Sequence, residues 1–350
     1  MSTSTVLGGD EVAAYEAALA DRLGVGEVVA VSSGTSALQT ALYATGIRSG
    51  DEVLVPAVAV VMSASPITHL GATPVIVDCD NTGTDFDHED LARKTTTKTA
   101  AVVPVHLWGR AGDTARLRHY AAEHDLAVIA DSCQALGTTV DGVQVGAEAT
   151  VACFSTHKLK LLSTDEGGFL TTNDPDIAAT ARAYRSHWLT PPAGQHPLSR
   201  LAHNFRLASP LAALGRRELA RLDALLDQRM TQTRRLQRLL TGTELLVPLA
   251  APSDQRWNHY APLWRMRLPR PRELARHLAE LGVPNSTGTF GLVPLDQRDL
   301  FVTVDTPSCT RAARFLDGIL ALVLTREDDE QRLREYAMTI AREVNRWASR

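Results

Sequence analysis

Only four lysines stand among the 36 basic residues of this 350-residue chain, at Lys94, Lys98, Lys158 and Lys160; arginine supplies the rest. The difference is chemical. A guanidinium stays charged, whereas a lysine amine can lose its proton and condense with a carbonyl to give an imine. Any imine chemistry in this chain must use one of four residues. Lys94 and Lys98 fall in the polar segment 93–99, which reads as a solvated loop. Lys158 and Lys160 fall in Phe154-Ser155-Thr156-His157-Lys158-Leu159-Lys160, at the end of an apolar run and shortly before Asp165-Glu166-Gly167-Gly168. They are either surface charges or members of a site at a strand end. Ser155 is a candidate phosphate donor there, and the glycine pair lets backbone pass close to a ligand.

Two further turns carry chemistry. Ser32-Ser33-Gly34-Thr35-Ser36-Ala37-Leu38 leads from an apolar run straight into a helical pattern. Free N–H groups and the positive end of the dipole make such a helix start an anion site, to which the Thr35 and Ser36 hydroxyls add donors. The same residues also suit a plain N-cap. Ala130-Asp131-Ser132-Cys133-Gln134-Ala135 follows another run. Asp131 there either caps the next helix or accepts a hydrogen bond from a protonated ring nitrogen. Gln134, three residues on, would reach a second ring substituent if a helix begins here.

These turns need a frame that brings them together. Strands are predicted over 27–31, 52–55, 74–77, 100–106, 127–130, 150–154 and 168–172, with helices over 36–45, 87–93, 113–124 and 175–187. This alternation implies an α/β fold with a mostly parallel, helix-covered sheet, whose ligands lie at the carboxyl ends of the strands. One long helix is predicted from 210 to 240, with Leu211, Leu214, Leu219, Leu222, Leu226 and Met230 as its buried face and Arg216, Arg217, Arg221 and Arg234 as its solvated side. A Gly/Pro/Ser-rich junction over 241–255 precedes a predicted strand over 256–268 and helices over 272–281 and 329–346. Residues 1–245 thus form a large domain and 246–350 a smaller α+β domain.

Composition narrows the function. With 44% apolar and 22% charged residues the chain is a folded, soluble type, and a formal charge of -4 gives no field for nucleic acid or anionic lipid. The longest apolar stretch, 53–62, contains Pro56 and is far short of the roughly 20 residues of a membrane helix. The N-terminus lacks a basic residue before an apolar block, so a cytoplasmic location is expected. Cys79, Cys133, Cys153 and Cys309 show no metal-ligand or redox spacing, so no metal is expected and the thiols are read as reduced.

In order and spacing, several motifs resemble the DegT/DnrJ/EryC1/StrS aminotransferase family. They are Ser33-Gly34-Thr35-x-Ala37-Leu38, Gly71-Ala72-Thr73-Pro74-Val75, Pro104-Val105-His106-Leu107-x-Gly109, Asp131-x-x-Gln134, Phe154-Ser155-x4-Lys160, Glu166-Gly167-Gly168 and Asn204-x-Arg206. The resemblance covers residues 10–240 and continues more loosely through 257–260 and 281–289. It implies the fold-type-I architecture of pyridoxal 5'-phosphate (PLP) enzymes, with a seven-stranded sheet in the large domain. It implies that Lys160 carries the cofactor as an imine, that Asp131 pairs with the pyridine nitrogen and that Gln134 lies near the ring hydroxyl. Gly34, Thr35, Ser36 and Ser155 would hold the phosphate. Asn204 would reach the phosphate of a neighbouring subunit, so a homodimer with shared sites is expected. Lys158 fails the family register, although Ser155-Thr156-His157-Lys158 also resembles the lysine motif of other fold-type-I enzymes, including amino-acid decarboxylases.

The activity so implied moves an amino group from glutamate or glutamine to a keto-sugar, nucleotide-linked, or a keto-cyclitol, in small-molecule or antibiotic biosynthesis. Two alternatives stay open: another PLP reaction on an amino acid, such as decarboxylation or elimination, and a non-catalytic binding or regulatory relative. A nicotinamide enzyme is disfavoured because no Gly-x-Gly-x-x-Gly follows the first strand. The chain departs from the pattern at Val60, where many relatives place an aromatic that stacks on the ring, at Leu136 in place of a histidine, and at Trp188 in place of a glycine. It also starts close to the first helix, without the extension many relatives carry.

Overall fold

Short apolar runs become strands here because helices cover both faces of the sheet, so neither face has to be polar. The computed structural model describes residues 9–301 and 308–349; the remaining positions of the two expected domain ranges lie outside the described residues. The chain runs through α1 (Gly9–Leu23), β1 (Glu27–Val31), α2 (Gly34–Ala44), β2 (Glu52–Pro56), α3 (Val61–His69), β3 (Thr73–Val77), α4 (His88–Lys94) and β4 (Thr99–Val102). It continues through α5 (Thr114–Glu123), β5 (Ala127–Asp131), a small hairpin of β6 (Thr139–Val140) and β7 (Val143–Gln144), β8 (Val151–Ser155), β9 (Gly168–Thr172) and α6 (Pro175–Tyr184). The main sheet has seven strands in the order β1-β9-β8-β5-β4-β2-β3, and β9 alone runs antiparallel to its neighbours. The α/β class and mostly parallel seven-stranded sheet are therefore as expected.

Alternation along each strand feeds two cores. Val29 and Val31 pack with Leu38, Leu42, Val55 and Ile67 on one face, while Val28 and Ala30 pack with Tyr15, Leu19, Phe154 and Phe169 on the other. The strand expected over 100–106 stops at Val102, and beyond it Val105 keeps a single bridge to Asp131. Helix α3 was not expected. Its Val60-Val61 start and internal Pro66 both argue against a helix, but burial of Ala64 and Ile67 overrides that local preference.

The single helix expected from 210 to 240 is two helices, α7 (Ser209–Leu219) and α8 (Leu222–Leu239), separated at Ala220 and Arg221. The break lets Leu219, Leu222 and Leu226 join the core beneath α1 while Leu236 enters a different core further on. Leu214 is exposed rather than part of the buried face, whereas Arg216, Arg217, Arg221 and Arg234 are solvated as expected.

The last third holds β10 (Leu246–Pro248), β11 (Gln255–Arg256), β12 (Leu263–Met266), α9 (Pro271–Glu280), α10 (Thr310–Asp317), β13 (Ile319–Ala321) and α11 (Glu330–Ala348). An antiparallel sheet β10-β12-β13 packs through Trp264, Leu274, Ile340 and Trp347 into its own core with Leu236. The strand expected over 256–268 is divided, because β11 joins the β6–β7 hairpin and β12 the C-terminal sheet. Between them Asn258 turns inward, and its Nδ2 donates to the carbonyls of Gln134 and Leu136 at 2.8 and 2.9 Å.

Two contacts that place the site give measurable consequences. A Cβ on Gly168 would lie 2.6 Å from the Ser33 carbonyl carbon and 2.7 Å from both Gly34 N and Phe154 O, all of them backbone atoms. Gly168→Ala is expected to cost about 1–3 kcal/mol by overpacking, and thermal denaturation at the wild-type midpoint would contradict this contact. His106 is buried, its Nδ1 2.9 Å from the Ser132 hydroxyl, and burial pushes its pKa down from 6.5 to about 4. The unfolded chain therefore binds this proton first as pH falls. Stability is lost from about pH 6.5 downward and levels off near pH 4, with a contribution on the order of 3 kcal/mol. His106→Gln should flatten denaturation midpoints across that window; an unchanged slope would exclude this origin.

Candidate active site

The carboxyl ends of β1, β5 and β8 meet the start of α2 around a cleft of about 310 Å³. Gly34, Thr35, Asp131, Gln134, Ser155 and Lys160 all line it, together with Val60, His106 and Cys133. Six of the eight expected site residues thus share one cavity. Ser36 and Asn204 do not line it.

The α2 start is built by a capping box. The Ser33 hydroxyl accepts from the Ser36 N–H at 3.0 Å, and the Ser33 N–H donates to the Ser36 hydroxyl at 2.8 Å. Ser36 is buried and both its N–H and hydroxyl serve this box. The N–H groups of Gly34 and Thr35 at the first two helical positions are left without an acceptor among the described residues. Donors of that kind at a helix N-terminus suit an anion. A Cβ on Gly34 would lie 2.8 Å from both Cys133 Sγ and Ser155 Cβ, so a side chain there would wedge α2 away from β8.

Asp131 ends β5 in the centre of the sheet and is 5% exposed. Its Oδ2 accepts from the Ser63 hydroxyl at 2.6 Å and its Oδ1 from the Cys133 N–H at 3.1 Å. Gln134 accepts at Oε1 from the Trp108 N–H, 2.7 Å away. Its amide NH2 is thereby the end left to donate toward the cleft. Burial, and after it the nearby Asp131 charge, raises the Cys133 thiol well above its usual range. That thiol is protonated at neutral pH and is a poor nucleophile.

The four lysines separate cleanly. Lys94 donates to the Ile76 carbonyl and to Asp90, Lys98 is exposed, and Lys158 is exposed beside the cleft without lining it. Lys160 is half-buried and lines the cleft. Its Nζ stands 4.8 Å from the centre of the Tyr260 ring and has no carboxylate partner among the described residues. A free amine, a buried acid, an amide donor and a helix start with two free N–H groups fit a phosphorylated pyridine aldehyde.

Of the three departures, Val60 lines the cleft as the residue preceding α3. Leu136 is buried in the core beneath α1, and Trp188 packs edge-on against Tyr43, 6.1 Å between centroids. Neither of the latter lines the cleft. Asn204 is exposed and its backbone bridges Ser186. Ser63, Tyr260 and the Trp108 N–H were not expected. Tyr260 lies in a segment of looser resemblance, and Ser63 carries no motif of its own.

The DegT/DnrJ/EryC1/StrS aminotransferase family model matches residues 1–335. The chain is 39% identical over 209 residues to a GDP-perosamine synthase of Caulobacter vibrioides, a match spanning 60% of this chain and 56% of that protein. It is 31% identical to the dTDP-3-amino-3,4,6-trideoxy-alpha-D-glucose transaminase of Streptomyces venezuelae, over 98% of this chain and 88% of that one. The crystal structure of the aminotransferase TlmJ from Streptoalloteichus hindustanus superposes with a TM-score of 0.88 at 26% identity, covering 97% of this chain and 92% of the other. With the family matched along nearly the whole chain and a cleft of this composition, the protein belongs to the DegT/DnrJ/EryC1/StrS family and is a PLP-dependent aminotransferase.

Proposed function

We propose that the enzyme takes its amino group from glutamate or glutamine and delivers it to the carbonyl of a nucleotide-linked keto-sugar, or of a keto-cyclitol, in small-molecule or antibiotic biosynthesis. The observation that carries the site assignment is that Lys160, alone of the four lysines, lines the cleft that holds Asp131 and Gln134. The names of the two curated relatives, both on sugar products or nucleotide-sugars, support the acceptor class.

Bound PLP supplies an electron sink for the electrons released at the donor carbon. In this reading Lys160 would hold the cofactor covalently between turnovers, and its amine, when free, would take the proton from the donor carbon as base and deliver it to the cofactor's carbonyl carbon as acid. Asp131 holds the proton on the pyridine nitrogen by offering a fixed negative charge. Gln134 donates to the ring hydroxyl. The Gly34 and Thr35 N–H groups bind the phosphate with the Thr35 and Ser155 hydroxyls, and Ser36 secures the turn that presents them.

A homodimer with shared sites belongs to the same proposal. Asn204, exposed and away from this chain's own cleft, is free to reach that of a second copy. A cytoplasmic setting is part of it too, supported by four free cysteines; among the described residues no helix is long and apolar enough to cross a membrane. We place the division between cofactor-binding and smaller domains at 245/246, supported by the core of Trp264, Ile340 and Trp347, which the end of α8 also enters through Leu236 and Leu240.

Lys160→Ala should abolish both the visible absorption of bound cofactor and amino transfer, whereas Lys158→Ala should retain both; the reverse pattern would move the assignment. Asp131→Asn is expected to keep the cofactor but slow the proton-transfer step by roughly 10²–10⁴, read as single-turnover loss of absorbance with the amino donor. Unchanged turnover would remove its role. Pyridoxamine-loaded enzyme offered keto-sugar nucleotides, free keto-sugars and keto-cyclitols should discharge fastest on the first; discharge only on α-keto acids would reject the acceptor class.

A further inference from the structure

Asp131 is fixed at three points, and the third lies outside the motifs. Its backbone N–H donates to the Pro104 carbonyl at 2.8 Å and its carbonyl accepts from the His106 N–H at 2.9 Å, which pins the main chain to the extension of the neighbouring strand. The Cys133 N–H then holds Oδ1 at 3.1 Å. A carboxylate held through one oxygen can still turn about its last bond. A second donor on the other oxygen sets its plane, and at Oδ2 that donor is the Ser63 hydroxyl at 2.6 Å.

Ser63 is 1% exposed and sits in the first turn of α3, where its N–H donates to the Val60 carbonyl at 2.9 Å. The same turn therefore carries the aliphatic wall of the cleft, Val60, and the donor to the buried acid. These two features are linked physically. A valine gives a flat ring dispersion contact but little preference for its orientation, whereas stacked aromatics have preferred geometries. With Val60 on the wall, alignment of the ring falls more heavily on the group that meets its nitrogen. A serine that only filled space near a helix start would turn its hydroxyl back to a carbonyl of its own helix. Ser63 instead reaches a carboxylate 68 positions away in sequence.

We propose that Ser63 is a positioning residue for amino transfer, its hydroxyl locking the plane of the Asp131 carboxylate that meets the cofactor's pyridine nitrogen. The inference rests on the proposed role of Asp131. Loss of the hydroxyl leaves the acid buried and charged with one donor fewer, free to rotate between orientations of which one serves the ring.

The test compares wild type, Ser63→Ala and Ser63→Thr, each prepared as apoprotein and reconstituted with PLP. Three readouts are taken: the pH midpoint of the visible absorption of bound cofactor, the dissociation constant for PLP, and kcat and KM with the better of glutamate and glutamine. Ser63→Ala is expected to displace the absorption midpoint and weaken PLP binding, and to lower kcat about tenfold while KM for the donor stays within about twofold. Ser63→Thr, which keeps the hydroxyl, should restore the midpoint and most of kcat. A Ser63→Ala enzyme with the wild-type midpoint and kcat would overturn the proposal, as would a Ser63→Thr enzyme no better than the alanine variant. If Asp131→Asn leaves the wild-type spectrum and turnover untouched, the role of Asp131 fails and this inference falls with it. An effect of Asp131→Asn without one of Ser63→Ala defeats the inference alone.

Discussion

A carboxylate taken out of water must be held by donors or lose its charge, and that constraint organises this site. Asp131 ends the central strand of the sheet, with β8 and its following loop on one side and the β4 extension on the other. The strand order makes this the point on which the α2 start, the Lys160 loop and the first turn of α3 converge. Each brings one kind of group: free N–H donors, an amine and a hydroxyl. The rest of the sheet serves to keep those ends level. Gly34 and Gly168 allow α2 to press against β8 and β9 at distances where any side chain would collide with backbone or with Ser155.

The C-terminal third is tied into the same cleft. Tyr260 places its ring under Lys160 Nζ, and the Tyr260 carbonyl accepts from Arg229 at 2.7 Å. Arg229 is 4% exposed and also donates to the Leu324 carbonyl and to Gln232, and burial pulls its pKa down to about 10. A guanidinium satisfied by carbonyls and an amide, at the seam between α8 and the C-terminal segments, fixes where Tyr260 stands. The lysine that the chemistry needs therefore depends on a buried arginine far from it in sequence.

Much of this was legible in the residues. The scarcity of lysine reduced imine chemistry to four candidates, and the turn chemistry of Ser33 to Ser36, the acid that ends β5 and the glycine pair at the start of β9 placed the site at strand ends. What stayed hidden had non-local causes. The Ser63 to Asp131 bond joins two segments that only the β2–α3 crossover brings together, and the helix break at Ala220 is dictated by two separate cores rather than by any breaker residue. Helix α3 itself runs against local propensity. Of the departures from the family pattern, Leu136 and Trp188 are buried in cores away from the cleft, which leaves Val60 as the one of the three that faces it.

The claim on which all of this turns is the covalent attachment point. Borohydride reduction of PLP-saturated protein, followed by proteolysis and mass mapping, reads it directly. The account predicts a single pyridoxyl adduct on the peptide carrying Lys160; an adduct on Lys158 or another residue, or none in saturated protein, would contradict it.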